Sequence, residues 1–224
     1  MRASWRKQMA SLLLGLGITA CSASRQSSPA RVGPGSAAAP IVTPAALARA
    51  DSGRPPYTAA DVHFIQGMID HHAQAVMMAG WAPSHGASAS VRGLCERIVV
   101  AQRDEIAFMQ RWLRERHLPV PEADASHDMM PGMEHPMMPG MLTAQELTQL
   151  DRARGPEFDR LFLADMIKHH QGAITMVEQL FASQGAAQDD NIFKFAADVN
   201  ADQTAEIDRM SIMLAAMSPP ARTP

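Results

Sequence analysis

The chain repeats itself. Asp61 to Ala79 reads DVHFIQGMIDHHAQAVMMA and Asp159 to Val177 reads DRLFLADMIKHHQGAITMV, 98 residues further on and without a gap. Shared positions are Asp61/Asp159, Phe64/Phe162, Met68/Met166, Ile69/Ile167, His71/His169, His72/His170, Ala75/Ala173 and Met78/Met176. A second stretch repeats at an offset of 101 and pairs Gln102/Gln203, Glu105/Glu206, Ile106/Ile207 and Met109/Met210. A doubled supersecondary unit constrains the fold more than composition does, because each copy must bury its apolar face against the other.

The repeated unit is helical. Ile65, Met68, Ile69, His72, Val76 and Ala79 recur at three and four residues, a stripe on one face of a helix, whereas a strand needs period two. Thr58 and Asp61 form a capping box with Asp in place of the usual Glu, and Gly80 offers a stop. A second helix is expected from about 90 to 116. Thr143 and Glu146 cap a short helix ending near Gly155, and Pro156 sits where it can start the next, which runs to about Ser183. The last runs from about Asp190 to Met217 and stops at Pro219-Pro220. The expected fold is therefore all-α: an antiparallel four-helix bundle of two duplicated hairpins, with a Met-rich connecting loop and a short extra helix.

The chain outside that unit reads differently. Residues 1–20 open with Arg2, Arg6 and Lys7, pass through the apolar run Leu12 to Ile18 and end on small residues, the pattern of an export signal. Ile18-Thr19-Ala20-Cys21 has the form of a bacterial lipobox, which makes Cys21 the lipid-modified N-terminus of the mature chain; an ordinary secretory signal beside an incidental cysteine is the alternative. Cleavage takes the net charge from −3 to −6. Residues 21–56 are rich in Ser, Ala, Pro and Gly and too poor in large apolar residues to offset ordering entropy, so they are expected to form a flexible tether between a membrane anchor and the bundle. The bundle domain is expected over 57–218, divided into a first hairpin (57–118), the loop (119–142) and the short helix with the second hairpin (143–218). The mild acidity excludes a nucleic-acid partner.

Among 224 residues there are 17 Met and 9 His but 2 Cys, so the chemistry to look for is that of thioether and imidazole. Met68 precedes His71 by three residues and His72 by four, the spacings that bring helical side chains together; Met166 repeats this before His169 and His170. Ala75 and Ala173 leave space beside the imidazoles, and Met78 and Met176 lie further along the same edge. Met68, His71, His72, Met78, Met166, His169, His170 and Met176 are therefore candidate metal ligands, with Glu105 and Glu206 as acceptors for imidazole N–H groups. Thioether sulfur is soft and imidazole intermediate, which favours Cu(I) and admits Cu(II) on the nitrogens; no organic cofactor is indicated. A di-iron bundle would need two Glu-x-x-His pairs, but Glu105 is followed by Phe108 and Glu206 by Arg209. Cys95 reads as a small buried hydrophobe, Met109, Met210 and Met213 as core, and His63 and His117 as surface.

MMPGM occurs twice, eight residues apart, in the connection between the hairpins, which holds six Met in thirteen residues. Pro and Gly at that density forbid a regular helix, so these methionines are not a helical core stripe. Two readings compete: a mobile apolar flap, and a soft-metal loop using Met129, Met130, Met133, His135, Met137, Met138 and Met141.

FIQGMIDHHAQAVMMA, the PGM loop, FDRLFLADMIKHHQGAITMV and the two Gln-x-x-Glu-Ile-x-x-Met stretches together resemble the domain-of-unknown-function 305 family, CopM-like exported proteins with a ferritin-like helical bundle. The resemblance covers about residues 57 to 217. It implies periplasmic or surface copper binding and copper tolerance, with ligands carried over onto Met68, His71, His72, Met78, Met166, His169, His170 and Met176. The mismatches Gly67/Asp165 and Asp70/Lys168 mean that the halves need not bind metal equally. The expected activity is sequestration or handover of copper without catalysis, the partners being the metal ion and the membrane; a copper-handling protein or a second copy of the chain is compatible with it. The competing classes are a metal oxidoreductase or hydrolase using Asp165, Glu105 or Glu206, and a metal-free interaction module.

Overall fold

The computed structural model describes residues 53, 56–125, 128 and 138–217, and within them the chain is five helices: α1 (Ala59–Gly80), α2 (Ala89–Glu115), α3 (Ala144–Arg152), α4 (Pro156–Ala182) and α5 (Asp190–Ala216). The export signal, Cys21 and almost all of the expected tether lie outside the described residues. No described helix is long and apolar enough to cross a membrane.

Local chemistry sets the helix ends. Thr58 and Asp61 close a full capping box on α1, and Thr143 and Glu146 do the same for α3. Each reciprocal pair satisfies otherwise orphaned N–H groups, at roughly 1 kcal/mol per cap. Ser88 caps α2 and Asp189 caps α5. Gly155, at φ 56°, turns the chain into Pro156 at the head of α4. At Gly80 the stop differs from the expectation: the glycine remains helical, and the cap is Trp81 in the αR region, its N–H reaching Ala79 and Met78 carbonyls. A tightened last turn satisfies the final carbonyls there without a left-handed residue.

Helices α1 and α2 form one hairpin, α4 and α5 the other, and the hairpins meet along α1 and α4, with α3 laid against α4. The repeated aspartates lock the hairpins reciprocally. Asp61 Oδ1 accepts the N–H of Ala187 in the second hairpin's turn at 2.7 Å, while Asp159 accepts the N–H of Ser88 in the first hairpin's turn at 3.2 Å. Both carboxylates are buried. Ala187 sits at φ 54°, a left-handed conformation that costs a non-glycine residue energy, and the bond from Asp61 holds it there. Asp189 closes that end of the bundle by accepting from Trp112 Nε1 at 3.1 Å and pairing with Arg116.

The interior is divided along the bundle axis. One apolar cluster contains Met68 and Ile69 of α1, Ile106 and Met109 of α2, Ala173 and Met176 of α4, and Val199 of α5. The other contains Ala75 and Met78, Ile98, Met166, and Met210 from the same four helices. Between the two, every helix of the bundle carries buried polar residues: His71 and His72, Gln102, His169 and His170, and Gln203. The core is thus two apolar halves with a histidine and glutamine layer between them.

Candidate metal centre

Successive residues on a helix point about 100° apart, so each His-His pair divides its tasks. His71 and His169 face one another across α1 and α4, with ring centroids 3.8 Å apart. His72 and His170 turn instead toward the second helix of their own hairpin, where His72 Nε2 lies 2.8 Å from Glu105 and His170 Nε2 bonds to Glu206 at 2.7 Å. The two-fold is close: within each pair the rings stand 6.3 Å apart at 56°. All four imidazoles are fully buried.

Protonation follows from the surroundings. Burial above all, then the neighbouring His72, pushes the pKa of His71 down to about 3, against a weaker opposing effect of its bond to Pro139. Burial likewise holds His169 well below the ordinary imidazole value, helped by His71, His170 and His72. Both rings are neutral at physiological pH. His71 Nε2 lies 3.0 Å from the Pro139 carbonyl oxygen, which only accepts, so Nε2 carries the proton and Nδ1 keeps its lone pair. That nitrogen has no hydrogen-bond partner, and neither ring nitrogen of His169 has one. An imidazole that donates one N–H to a carbonyl or carboxylate and presents its other nitrogen unpaired is the arrangement seen around bound metal ions.

The thioethers lie on both sides of this layer. Met68 and Met176 share the first apolar cluster, Met78 and Met166 the second, so each side holds one candidate methionine from each half, with Met109 beside the first pair and Met210 beside the second. Helices α1 and α4 are antiparallel, and the repeat therefore brings the early methionine of one half beside the late methionine of the other. Met68, Met78 and Met166 are fully buried and Met176 nearly so. Among the described residues no group of three or more His, Cys, Asp or Glu side chains is placed to hold a metal ion. An ion in this core would depend on sulfur, or on donors outside that set, as well as on imidazole.

Of the loop residues singled out, Met129, Met130, Met133, His135 and Met137 lie outside the described residues. Met138 and Met141 are described, and the loop's end is pressed onto the bundle. A Cβ on Gly172 would stand 2.0 Å from the Pro139 oxygen, and one on Gly67 would stand 2.9 Å from Met138 Sδ and 3.4 Å from Met176 Cε. Gly140 (φ 77°) completes the turn against α4. The mismatch at Gly67/Asp165 now has a cause. Gly67 makes room for the loop's methionine, whereas Asp165 lies on the other face, where burial and the charge of Glu146 raise its pKa to about 6 against the opposing Lys168. Lys168 pairs with Glu146 of α3 at 2.6 Å, so the short helix breaks the two-fold at the surface and the loop breaks it at His71 through Pro139, while the ring geometry within each His-His pair keeps it.

Three features of the site escape the sequence. Gln102 and Gln203 repeat within the Gln-x-x-Glu-Ile motif, and a glutamine between Ile98 and Ile106 on an otherwise apolar stripe was the signal. Pro139 acts through its backbone, which no residue pattern announces. His85, without a repeat partner, is buried between Ser84 and Asp151 and ties the α1–α2 turn to the end of α3. Cys95 is buried in the second cluster, where burial and nearby Asp159 raise its thiol to about 12. His63 and His117 are exposed.

Fold and interior together define an all-helical protein with a buried His/Met core. The sequence matches the family described as Domain of unknown function (DUF305) over residues 61–214, and the chain belongs to that family. It is similar in structure to a DUF305 fragment from Deinococcus radiodurans, with 29% identity, a TM-score of 0.61, and coverage of 72% of this chain and 99% of that one. CopM in its Cu(II)-bound form is 30% identical with a TM-score of 0.56, covering 70% of this chain and 97% of that one. CopM in its Cu(I)-bound form is 27% identical with a TM-score of 0.54, covering 73% and 100%. No curated protein matches the chain.

Proposed function

We propose that this protein is an exported, lipid-anchored copper-binding protein that holds Cu(I) as cargo, for sequestration or handover in copper tolerance, without turning over a substrate. One observation carries the reading. Neutral, buried imidazoles with unpartnered nitrogens lie between two pairs of buried thioethers, a donor set of soft sulfur and intermediate nitrogen. His71, His169 and the methionines Met68, Met176, Met78 and Met166 would hold the ion; His72 and His170 complete the set, tethered by Glu105 and Glu206. The relatives that bind copper in their solved forms support the choice of metal. Burial of all four rings supports cargo over catalysis, since none of them is open to a substrate at the surface. The remaining loop methionines, with His135, serve capture. Export and anchoring at Cys21 rest on residues 1–21, and the membrane and a copper-accepting protein are the partners.

Anaerobic Cu(I) titration of the full chain against a competing chelator tests the core of this reading. Binding by wild type is expected, weakened by Leu at Met68, Met78, Met166 and Met176, a swap that removes sulfur with little change in volume. No binding, or binding unchanged when His71, His72, His169 and His170 become Ala, overturns it. Loss of membrane association in Cys21→Ala tests the anchor separately.

A further inference from the structure

Two inward-facing residues of the middle layer have no part in the donor set above. Gln102 and Gln203 are 2% and 3% exposed. Each occupies a position its helix otherwise fills with apolar side chains: Gln102 falls between Ile98 and Ile106 on α2, Gln203 between Val199 and Met210 on α5. A leucine would pack there at no polar cost. Instead both amide atoms of Gln102 and the oxygen of Gln203 have no hydrogen-bond partner. A buried polar group left unpaired loses its hydration and gains nothing in return. This fold does satisfy a buried amide where the amide is structural: Gln74 donates to the Leu142 carbonyl and to Asp128, and accepts from the Leu142 N–H at 2.8 Å.

The unpaired groups are not scattered. Apart from Arg116 Nε, every buried side-chain nitrogen or oxygen without a hydrogen-bond partner among the described residues belongs to the four histidines or to these two glutamines. All of them fall in the one layer between the apolar clusters, and the glutamines are related by the same duplication as the histidines. Glu105 and Glu206 stand one helical turn beyond Gln102 and Gln203, against His72 and His170. The layer therefore supplies nitrogen and oxygen, and Met68, Met176, Met78 and Met166 belong to the apolar clusters that flank it.

We propose that Gln102 and Gln203 are metal-facing oxygen donors, which with the histidine nitrogens form a nitrogen and oxygen set suited to copper in its divalent state. This rests on the copper-binding reading above and adds to it: the histidine nitrogens serve both oxidation states, the thioethers complete the set for the monovalent ion and the two amide oxygens for the divalent one. The chemistry is that of ligand preference: Cu(II) takes nitrogen and oxygen in tetragonal arrangements, Cu(I) takes thioethers. The two carboxylates at the rim supply negative charge toward a divalent ion.

The test compares both copper ions on the full chain carrying Gln102→Leu and Gln203→Leu together. Cu(II) is titrated against a competing amino-acid chelator and followed by electron paramagnetic resonance, and Cu(I) is titrated anaerobically. The expected result is a loss of Cu(II) affinity of at least about tenfold with an altered hyperfine pattern, unchanged Cu(I) affinity, and metal-free stability equal to or above wild type. Gln102→Glu with Gln203→Glu keeps an oxygen at each position and is expected to restore Cu(II) binding. An unchanged Cu(II) spectrum and affinity in the Leu variant, or equal weakening of both ions, overturns the proposal. Wild type that binds Cu(I) but not Cu(II) sinks this inference alone, whereas wild type that binds neither sinks the copper reading with it.

Discussion

Gly172→Ala is the substitution that most directly probes how the loop meets the bundle. The added Cβ would stand 2.0 Å from the Pro139 oxygen, 2.4 Å from its carbonyl carbon and 2.6 Å from Gly140 Cα, all backbone atoms held in a turn. Ordinary contact begins near 3.4 Å, so the Pro139-Gly140 segment must move off α4 by more than its bond to His71 tolerates, since that bond is already 3.0 Å long. Overpacking of this kind costs about 1–3 kcal/mol, and the stranded, buried His71 N–H about 1–3 more. The better helix propensity of Ala returns about 1 kcal/mol. The net loss is about 3 kcal/mol, which for a domain of this size lowers the melting temperature by roughly 6–12 °C. Circular dichroism melts of metal-free protein measure it. Gly80→Ala is the control, since a Cβ there meets nothing within 4 Å, and its melting temperature is expected to rise slightly, by the roughly 0.4–1 kcal/mol gained when a helical glycine is replaced. A Gly172→Ala protein that melts with wild type would mean that the loop does not rest on α4 and that His71 is not held by Pro139.

Three other outcomes are expected. Because His71 has a folded pKa of about 3 against 6.5 for a free imidazole, the unfolded chain takes up a proton that the folded one refuses. Stability of the metal-free protein is complete above pH 6.5 and falls as pH drops toward 3, by about 2 kcal/mol at pH 5 from this residue, with His169 adding to the same trend; urea midpoints equal at pH 7 and pH 5 would contradict it. Asp61→Ala removes the acceptor for Ala187 N–H and for Thr58, and is expected to cost about 3 kcal/mol in chemical denaturation, against less than 1 kcal/mol if the hairpin lock is unimportant. Cys95, buried and with its thiol raised to about 12, should resist alkylation at pH 8 in the native protein and react on unfolding; rapid native labelling seen by mass spectrometry would place it outside the core.

The parts of this molecule legible from sequence are those with local causes. Capping boxes at Thr58/Asp61 and Thr143/Glu146 involve residues three apart, so their pattern and their hydrogen bonds are the same fact. Helix periodicity and the duplicated hairpin are likewise written in short spacings. Gly80 misled because glycine permits a left-handed stop without requiring one. The Asp61/Asp159 pairing was visible as a repeat, but its use as a reciprocal lock involves turn residues 126 and 71 positions away.

The candidate site divides the same way. That histidine and methionine recur together was apparent from spacing on one helix. Which methionine accompanies which depended on the antiparallel meeting of α1 and α4, which puts Met68 with Met176 and Met78 with Met166. A spacing rule relates residues on one rod and says nothing about the direction of the rod beside it. The roles within each His-His pair were undetermined for a related reason: neighbours 100° apart are equivalent until partners are placed around them, here the opposing imidazole on one side and Glu105 or Glu206 on the other. By itself, then, the sequence determined the helices, their ends, the doubling and the kinds of donor atom, since these depend on backbone geometry and side-chain chemistry a few residues apart. Tertiary packing decided which methionines flank the polar layer, the seating of Pro139 over His71 and the burial that keeps His71 and His169 neutral, because each is a contact or a loss of solvent produced only when distant segments meet.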